Sequence, residues 1–402
     1  MNTPNLRQLI VCRNLLTDKT IQLLIAVLDN PHNETIRCQF ISAMLERAEN
    51  LKLSGNLLKQ YLLYLLTHQE NIVAKMVENS STGRIGPSLY QAFCSDMKII
   101  TEFLQTKPSD LVISDLLDNY QPTVANSNFT SFDASPENLA NNLISYYRTY
   151  GYGEMTAYRA FRWDNEQLIG IEHFNEATLD TLIGYDLQKQ ELVANTTAFV
   201  NNKPANNVLL VGARGTGKSS SVKALANDFF THGLRLLQIT KPQLLQLSQI
   251  MEKLREYTSK KFIIFLDDLS FENFEVEYKY LKSAIEGGVT AKPDNVLIYA
   301  TSNRRHLIKE TWKDRGAVND EIHRHDTLNE TISLADRFGL TITYLAPNQS
   351  EYLKIADGLL KQAGITLDPN ELRIQAVAWE TTHSGRSGRT AQQFVTHYLS
   401  NH

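Results

Sequence analysis

Val208-Leu209-Leu210-Val211-Gly212-Ala213-Arg214-Gly215-Thr216-Gly217-Lys218-Ser219-Ser220 is the stretch on which the reading of this chain turns. Four apolar residues of strand length lead into a glycine-rich turn, and Val222, Leu225, Ala226 and Phe229 then recur at helical spacing. The pattern is G-x-x-x-x-G-K-[ST] between a strand and a helix, the context in which it has a mechanism. Glycines at 212, 215 and 217 can take positive φ without a Cβ clash, so the backbone can wrap a phosphate. The resulting nest of N–H groups and the positive end of the following helix would hold β- and γ-phosphates. Lys218 would reach the same oxygens, and the Ser219 hydroxyl would ligate Mg²⁺. The whole run from Gly212 through Ala213, Arg214, Gly215, Thr216, Gly217, Lys218 and Ser219 to Ser220 is therefore the expected phosphate-binding site.

Working outward, the chain has 402 residues, enough for two or three domains at about 150 residues each. Hydrophobic residues make up 42% and charged residues 21%, a composition that supports packed globular cores. A net charge of −4 gives no overall pull toward nucleic acid or an anionic membrane. Cys12, Cys38 and Cys94 are odd in number and scattered among apolar residues, which reads as buried thiols in a reducing compartment. No apolar run approaches the ~20 residues of a membrane span, and the first residues show no basic-then-apolar leader pattern. A cytoplasmic protein is expected.

Residues 1–120 read as an all-helical N-terminal domain. Ile36, Phe40, Ile41, Met44 and Leu45 fall on one helical face, as do Leu57, Leu58, Tyr61, Leu62, Leu65 and Leu66. These stripes are expected to be core seams, with a partner-binding groove as the alternative. Residues 121–157 read as a linker and a connecting helix, the helix opening at Ser135-Pro136-Glu137. The segments around Tyr158 and Gln167 flank Asp164-Asn165 and suggest a lead-in hairpin. Ile183-Gly184, just upstream of the phosphate loop, is either a surface for the adenine base or an ordinary strand-to-helix turn.

In residues 158–345 the apolar runs 208–211, 234–239, 262–266, 296–300 and 340–344 alternate with helical patterns. That alternation predicts a five-stranded parallel sheet with helices on both faces. Ligands in such a sheet sit at the carboxyl ends of the strands. The third run ends in Asp267-Asp268, where Asp267 would hold Mg²⁺ and Asp268 would orient or deprotonate an attacking water. The fourth ends at Asn303, whose amide can bind a γ-phosphate oxygen and the lytic water. Residues 346–402 read as a small helical domain.

Residues 212–219, Asp267-Asp268, Ala300-Thr-Ser-Asn303 and Asp336-Arg337-Phe338-Gly339 resemble the Walker A, Walker B, sensor 1 and arginine-finger motifs of AAA+ P-loop ATPases. Phe265-Leu-Asp-Asp-Leu-Ser-Phe271, Tyr278-Lys-Tyr-Leu-Lys282, Ala300-Thr-Ser-Asn-Arg-Arg-His306, Ser333-Leu-Ala-Asp-Arg-Phe-Gly339 and Ser387-Gly-Arg-Thr-Ala-Gln-Gln-Phe394 are further similar to a bacterial AAA+ family known as a domain of unknown function. The resemblance implies an α/β AAA+ core with a C-terminal helical lid, ATP and Mg²⁺ as ligands, and Lys218, Asp268, Asn303, Arg337 and Arg389 as catalytic residues. Arg337 would act on a neighbouring subunit, which implies a homo-oligomer, and Arg389 would be sensor 2, with Arg386 as its alternative. Asp268 stands where most of these proteins carry glutamate, one methylene longer. Arg304-Arg305-His306 reads as a phosphate or partner contact or as paired charges. Residues 310–329, with His323 and His325, read as a solvated or subunit-contacting loop rather than a metal site.

The function expected is ATP hydrolysis that drives remodelling or loading of a protein or protein–nucleic-acid partner, chosen by the N-terminal domain. A nucleotide-gated adaptor with little hydrolysis is the alternative, resting on Asp268. A small-molecule P-loop kinase is disfavoured by the sensor and finger residues.

Overall fold

The computed structural model of the chain describes residues 5–80, 84–124, 135–271, 276–286, 292–303, 337–383 and 385–401. The expectations for 304–306 and for 310–329, His323 and His325 included, fall outside the described residues. The chain divides into two compact units. One is Met1–Ala157 with Tyr257–Lys260, and the other is Tyr158–Glu256 with Lys261–His402.

The first unit contains α1 (Lys19–Asp29), α2 (Glu34–Leu51), α3 (Leu57–His68), α4 (Ile72–Asn79), α5 (Pro87–Gln105), α6 (Pro136–Tyr150) and the single turn α7 (Glu154–Ala157). Most of these helices start where a short polar side chain offers an N-cap. Asp18, Asn33, Asn56, Asn71 and Ser135 each accept a backbone N–H from the following first turn. Phe40, Met44, Leu58, Leu62, Phe93, Met97, Leu139, Leu143 and Tyr147 share one core, so α6 belongs to this core rather than standing as a bare connector. Asp96 on α5 is buried, and its carboxylate accepts the N–H groups of Ile10, Val11 and Cys12 at 2.9, 2.8 and 2.7 Å. That pins the N-terminal turn to the bundle, and burial beside Asp96 pushes the Cys12 thiol well above its usual range. Of the three cysteines only Cys12 is buried; Cys38 is exposed and Cys94 half-buried. Cys38 lies two residues before Phe40 on α2, about 200° around the helix from the buried face.

In the second unit the strands are β1 (Ala160–Asp164), β2 (Gln167–Gly170), β3 (Val208–Gly212), β4 (Leu234–Ile239), β5 (Lys261–Leu266), β6 (Val296–Ser302) and β7 (Leu340–Tyr344). They form a seven-stranded sheet in the order β2-β1-β4-β5-β6-β3-β7. Five strands were expected, and the lead-in hairpin supplies the other two. β1 pairs in parallel with β4, and β2 runs antiparallel on the outer edge. The hairpin joins because Ala160, Phe161 and Trp163 are buried and need a covered position. The remaining pairings are parallel. The central strands are continuous apolar runs buried on both faces, β3 being Val208-Leu-Leu-Val211 with the first three fully buried. Each such side chain contributes about 1.5–3 kcal/mol.

Helices α8 (Asp186–Val200), α9 (Lys218–Asp228), α10 (Leu247–Arg255) and α11 (Val276–Glu286) accompany the sheet. A three-helix group follows β7, made of α12 (Gln349–Gln362), α13 (Pro369–Thr382) and α14 (Gly388–Asn401) around Tyr352, Ala356, Leu360, Ala376, Ala391 and Phe394. Gly212 closes β3 at φ 136°, and a Cβ there would lie 1.9 Å from the Tyr344 carbonyl oxygen. Gly212→Ala is therefore expected to cost about 3 kcal/mol or more. A drop in thermal midpoint of several degrees would register it; an unchanged midpoint would contradict the close approach of β3 and β7.

Candidate active site

Because β3, β5 and β6 are parallel, their carboxyl ends share one rim of the sheet. Val211 pairs with Ser302 and Leu266 with Ala300, so the residues that follow those ends become neighbours. After β3 the chain turns through Gly215 and Gly217, at φ 72° and 87°, and enters α9 at Lys218. Only glycine takes these angles cheaply, which is why the turn reads so clearly in sequence.

Lys218 is buried, and its ammonium donates to the carbonyls of Gly212 at 3.0 Å and Ala213 at 2.6 Å and to Asn303 Oδ1 at 3.0 Å. Asn303 in turn donates through Nδ2 to Asp268 Oδ1 at 2.6 Å. Ser219 Oγ donates to Asp267 Oδ1 at 2.5 Å. Burial draws the Lys218 ammonium below its ordinary range, while Asp268 and Asp267 pull it back up. A triphosphate placed beside it would act in the same upward direction.

These groups open on a cavity of about 600 Å³. Its lining includes Ile183, Gly184, Arg214, Gly215, Thr216, Gly217, Lys218, Ser219, Ser220, Asp267, Asp268, Asn303 and Arg389. Gly212 and Ala213, expected to touch phosphate, do not line it; their carbonyls accept from Lys218 instead. Ile183-Gly184 forms a wall of the cavity and packs on the three-helix group, where Ile355 would be 3.4 Å from a Cβ on Gly184. Tyr185 closes that corner, donating its hydroxyl to the Leu345 carbonyl at 2.8 Å, and burial pushes its phenol up to about 12.

Arg337 does not line the cavity. It stands before β7, and β7 begins level with Val208 and ends level with Gly212. Arg337 is therefore at the opposite rim of the sheet, a strand length of about 13 Å from the phosphate loop. Arg386, the alternative to Arg389, has its Nε on both carboxylate oxygens of Glu380, at 2.9 and 2.8 Å, which leaves Arg389 as the arginine of this segment in the cavity.

Thr301 was not singled out in sequence. Its hydroxyl donates to Asp267 Oδ1 at 2.8 Å and accepts the Asp268 N–H at 2.9 Å, so one buried side chain orients both acidic residues. The available signal was its place inside Ala300-Thr-Ser-Asn303 at a strand end.

The residues present fit a hard cation. A hydroxyl and a carboxylate oxygen in contact are the donors Mg²⁺ takes from protein, with the rest of its shell from phosphates and water. Among the described residues no three His, Cys, Asp or Glu side chains converge as a metal cluster. Among them, too, no helix is long and apolar enough to cross a membrane.

A family model described as protein of unknown function (DUF815) matches residues 156–402. No curated protein matches the chain. Among solved structures, the RuvB Holliday junction branch migration motor of Thermotoga maritima aligns at TM-score 0.38 and 17% identity, over 56% of this chain and 64% of that one. A single-residue variant of the same motor aligns at 0.35 and 16%, over 56% and 72%. The chain thus spans less than two thirds of the first of these structures.

Proposed function

The chain belongs to the family described as protein of unknown function (DUF815), and from that premise we propose that it is an AAA+ ATPase, binding ATP with Mg²⁺ and hydrolysing it. One observation carries the reading. Lys218, Asn303 and Asp268, separated by as many as 85 residues in sequence, are joined by hydrogen bonds at the mouth of one cavity, with the Ser219–Asp267 pair beside them. A cationic amine, a hydroxyl–carboxylate pair, an amide and a second carboxylate are the set that phosphoryl transfer to water needs.

In this reading Lys218 and the N–H groups of 214–219 hold the phosphates. Asp268 takes the proton of the attacking water, and Asn303 fixes both that carboxylate and the water's direction. Bound Mg²⁺, held by Ser219 and Asp267, would supply charge neutralisation at the phosphate oxygens. Arg389 adds positive charge from the lid. Arg337, at the far rim of its own sheet, serves the site of a second copy, so the active form is a homo-oligomer. The helical unit recruits a protein client, and hydrolysis drives remodelling or loading of that client. A reducing, cytoplasmic setting is consistent with three unpaired cysteines. The shorter Asp268, held by Asn303, is the observation that favours the adaptor reading.

Phosphate release from ATP by the purified protein tests the proposal. Release is expected with Mg²⁺ and is expected to fall to background when a chelator removes it. Release that persists in chelator would refute the assignment of Ser219 and Asp267.

A further inference from the structure

Helix α14 meets the phosphate loop through its backbone. The Arg389 N–H donates to the Gly215 carbonyl at 3.1 Å. A Cβ on Gly388 would lie 3.1 Å from that same oxygen, and one on Gly215 would lie 2.9 Å from Ser387 Oγ. Ser387 caps the helix by accepting the Thr390 N–H at 3.1 Å. Together these contacts set the height and rotation of the α14 N-terminus over the loop. In that register Thr390, Ala391, Phe394 and Val395 are buried. Arg389 and Gln392, three residues apart and so on one face, line the cavity.

Gln392 is exposed, and its side-chain amide has no hydrogen-bond partner among the described residues. Its Cα lies about 4.5 Å further along the helix axis than that of Arg389, away from the phosphate loop. The aliphatic part of the lining is Leu182, Ile183, Ile355 and Leu359. A nucleoside against such a wall keeps polar edges, sugar hydroxyls and ring nitrogens, that lose water and need partners. A carboxamide offers both a donor and an acceptor. A few well-placed polar groups beside apolar contacts set orientation in small-molecule sites.

We propose that Gln392 is a specificity-determining residue that hydrogen-bonds the nucleoside part of the bound nucleotide rather than its phosphates. This rests on reading the cavity as a nucleotide site. Arg389 reads the phosphate end of the ligand and Gln392, one turn on, reads the sugar or base.

Affinities of wild type, Gln392→Ala and Gln392→Glu for ATP, dATP, GTP and inorganic triphosphate, each with Mg²⁺, provide the test. Alanine favours the helix, so the fold is retained. Gln392→Ala is expected to weaken ATP about 3- to 10-fold and to leave inorganic triphosphate unchanged. Gln392→Glu, which keeps an acceptor but loses the donor, is expected to weaken ATP as well. Insensitivity of dATP to Gln392→Ala would assign the contact to the 2′-hydroxyl, and insensitivity of GTP to the base. Equal losses for ATP and inorganic triphosphate, or no loss for any ligand, would overturn the proposal while the nucleotide site stands. Wild-type protein that binds inorganic triphosphate and nucleotides equally overturns it too. Wild type that binds none of them overturns the site reading itself.

Discussion

Protein carrying Asp268→Asn is expected to turn over ATP about 100-fold more slowly or worse, with ATP affinity retained. The substitution preserves shape and the neighbouring contacts. Asp268 sits at φ 52°, a left-handed conformation that asparagine tolerates better than most residues. Its N–H still reaches Thr301 Oγ1, and Asn303 can still donate to its side-chain oxygen. What disappears is the negative charge proposed to accept a proton from water, while residues 214–219, proposed to hold the phosphates, are untouched. A factor of 100 in rate corresponds to about 2.7 kcal/mol of transition-state stabilisation. The measurement is single-turnover hydrolysis beside equilibrium ATP binding. Turnover equal to wild type would remove Asp268 from the chemistry. Negligible turnover in wild type, with tight ATP binding, would select the adaptor reading. ATP-loaded Asp268→Asn protein is also the form in which a client should be retained for identification by pull-down.

Arg337→Ala is expected to lower turnover about 1,000-fold, the scale on which an arginine supplied to a transferring phosphoryl group acts. Binding of ATP should be unaffected, because Arg337 does not line the cavity of its own chain and stands before the start of β7. The location makes a sharper expectation. Mixing Arg337→Ala protein with Lys218→Ala protein should restore part of the activity. The first keeps an intact cavity, and the second keeps an intact Arg337 to offer it. A mixture as inactive as its components, from chains shown to co-assemble, would contradict action between copies.

Much of the site was legible from residues alone, for physical reasons that are local. A phosphate loop needs glycines at positions of positive φ, a strand before it and a helix after it, and all of that lies within residues 208–229. Asp267-Asp268 and Asn303 could be read because each ends a continuous apolar run, and parallel strands bring such ends to one rim. The helical unit was legible in the same way, from apolar spacing and from the helix start at Ser135-Pro136; the Asp18 and Asn33 caps emerge with the fold.

What the residues by themselves determined is therefore the main strands and helices and which side chains stand at the strand ends. Tertiary structure alone decided the partners across the chain. It joined β1 to β4 and so widened the sheet from five strands to seven. Thr301 became the common orienter of two aspartates, Arg386 was committed to Glu380 with Arg389 left at the cavity, and α14 seated on Gly215 placed Gln392 along the cavity. The reason is one of range. Glycine torsions, strand runs and helix caps are fixed by neighbours in sequence, whereas strand pairing and side-chain pairing depend on residues far away that only the folded chain brings together.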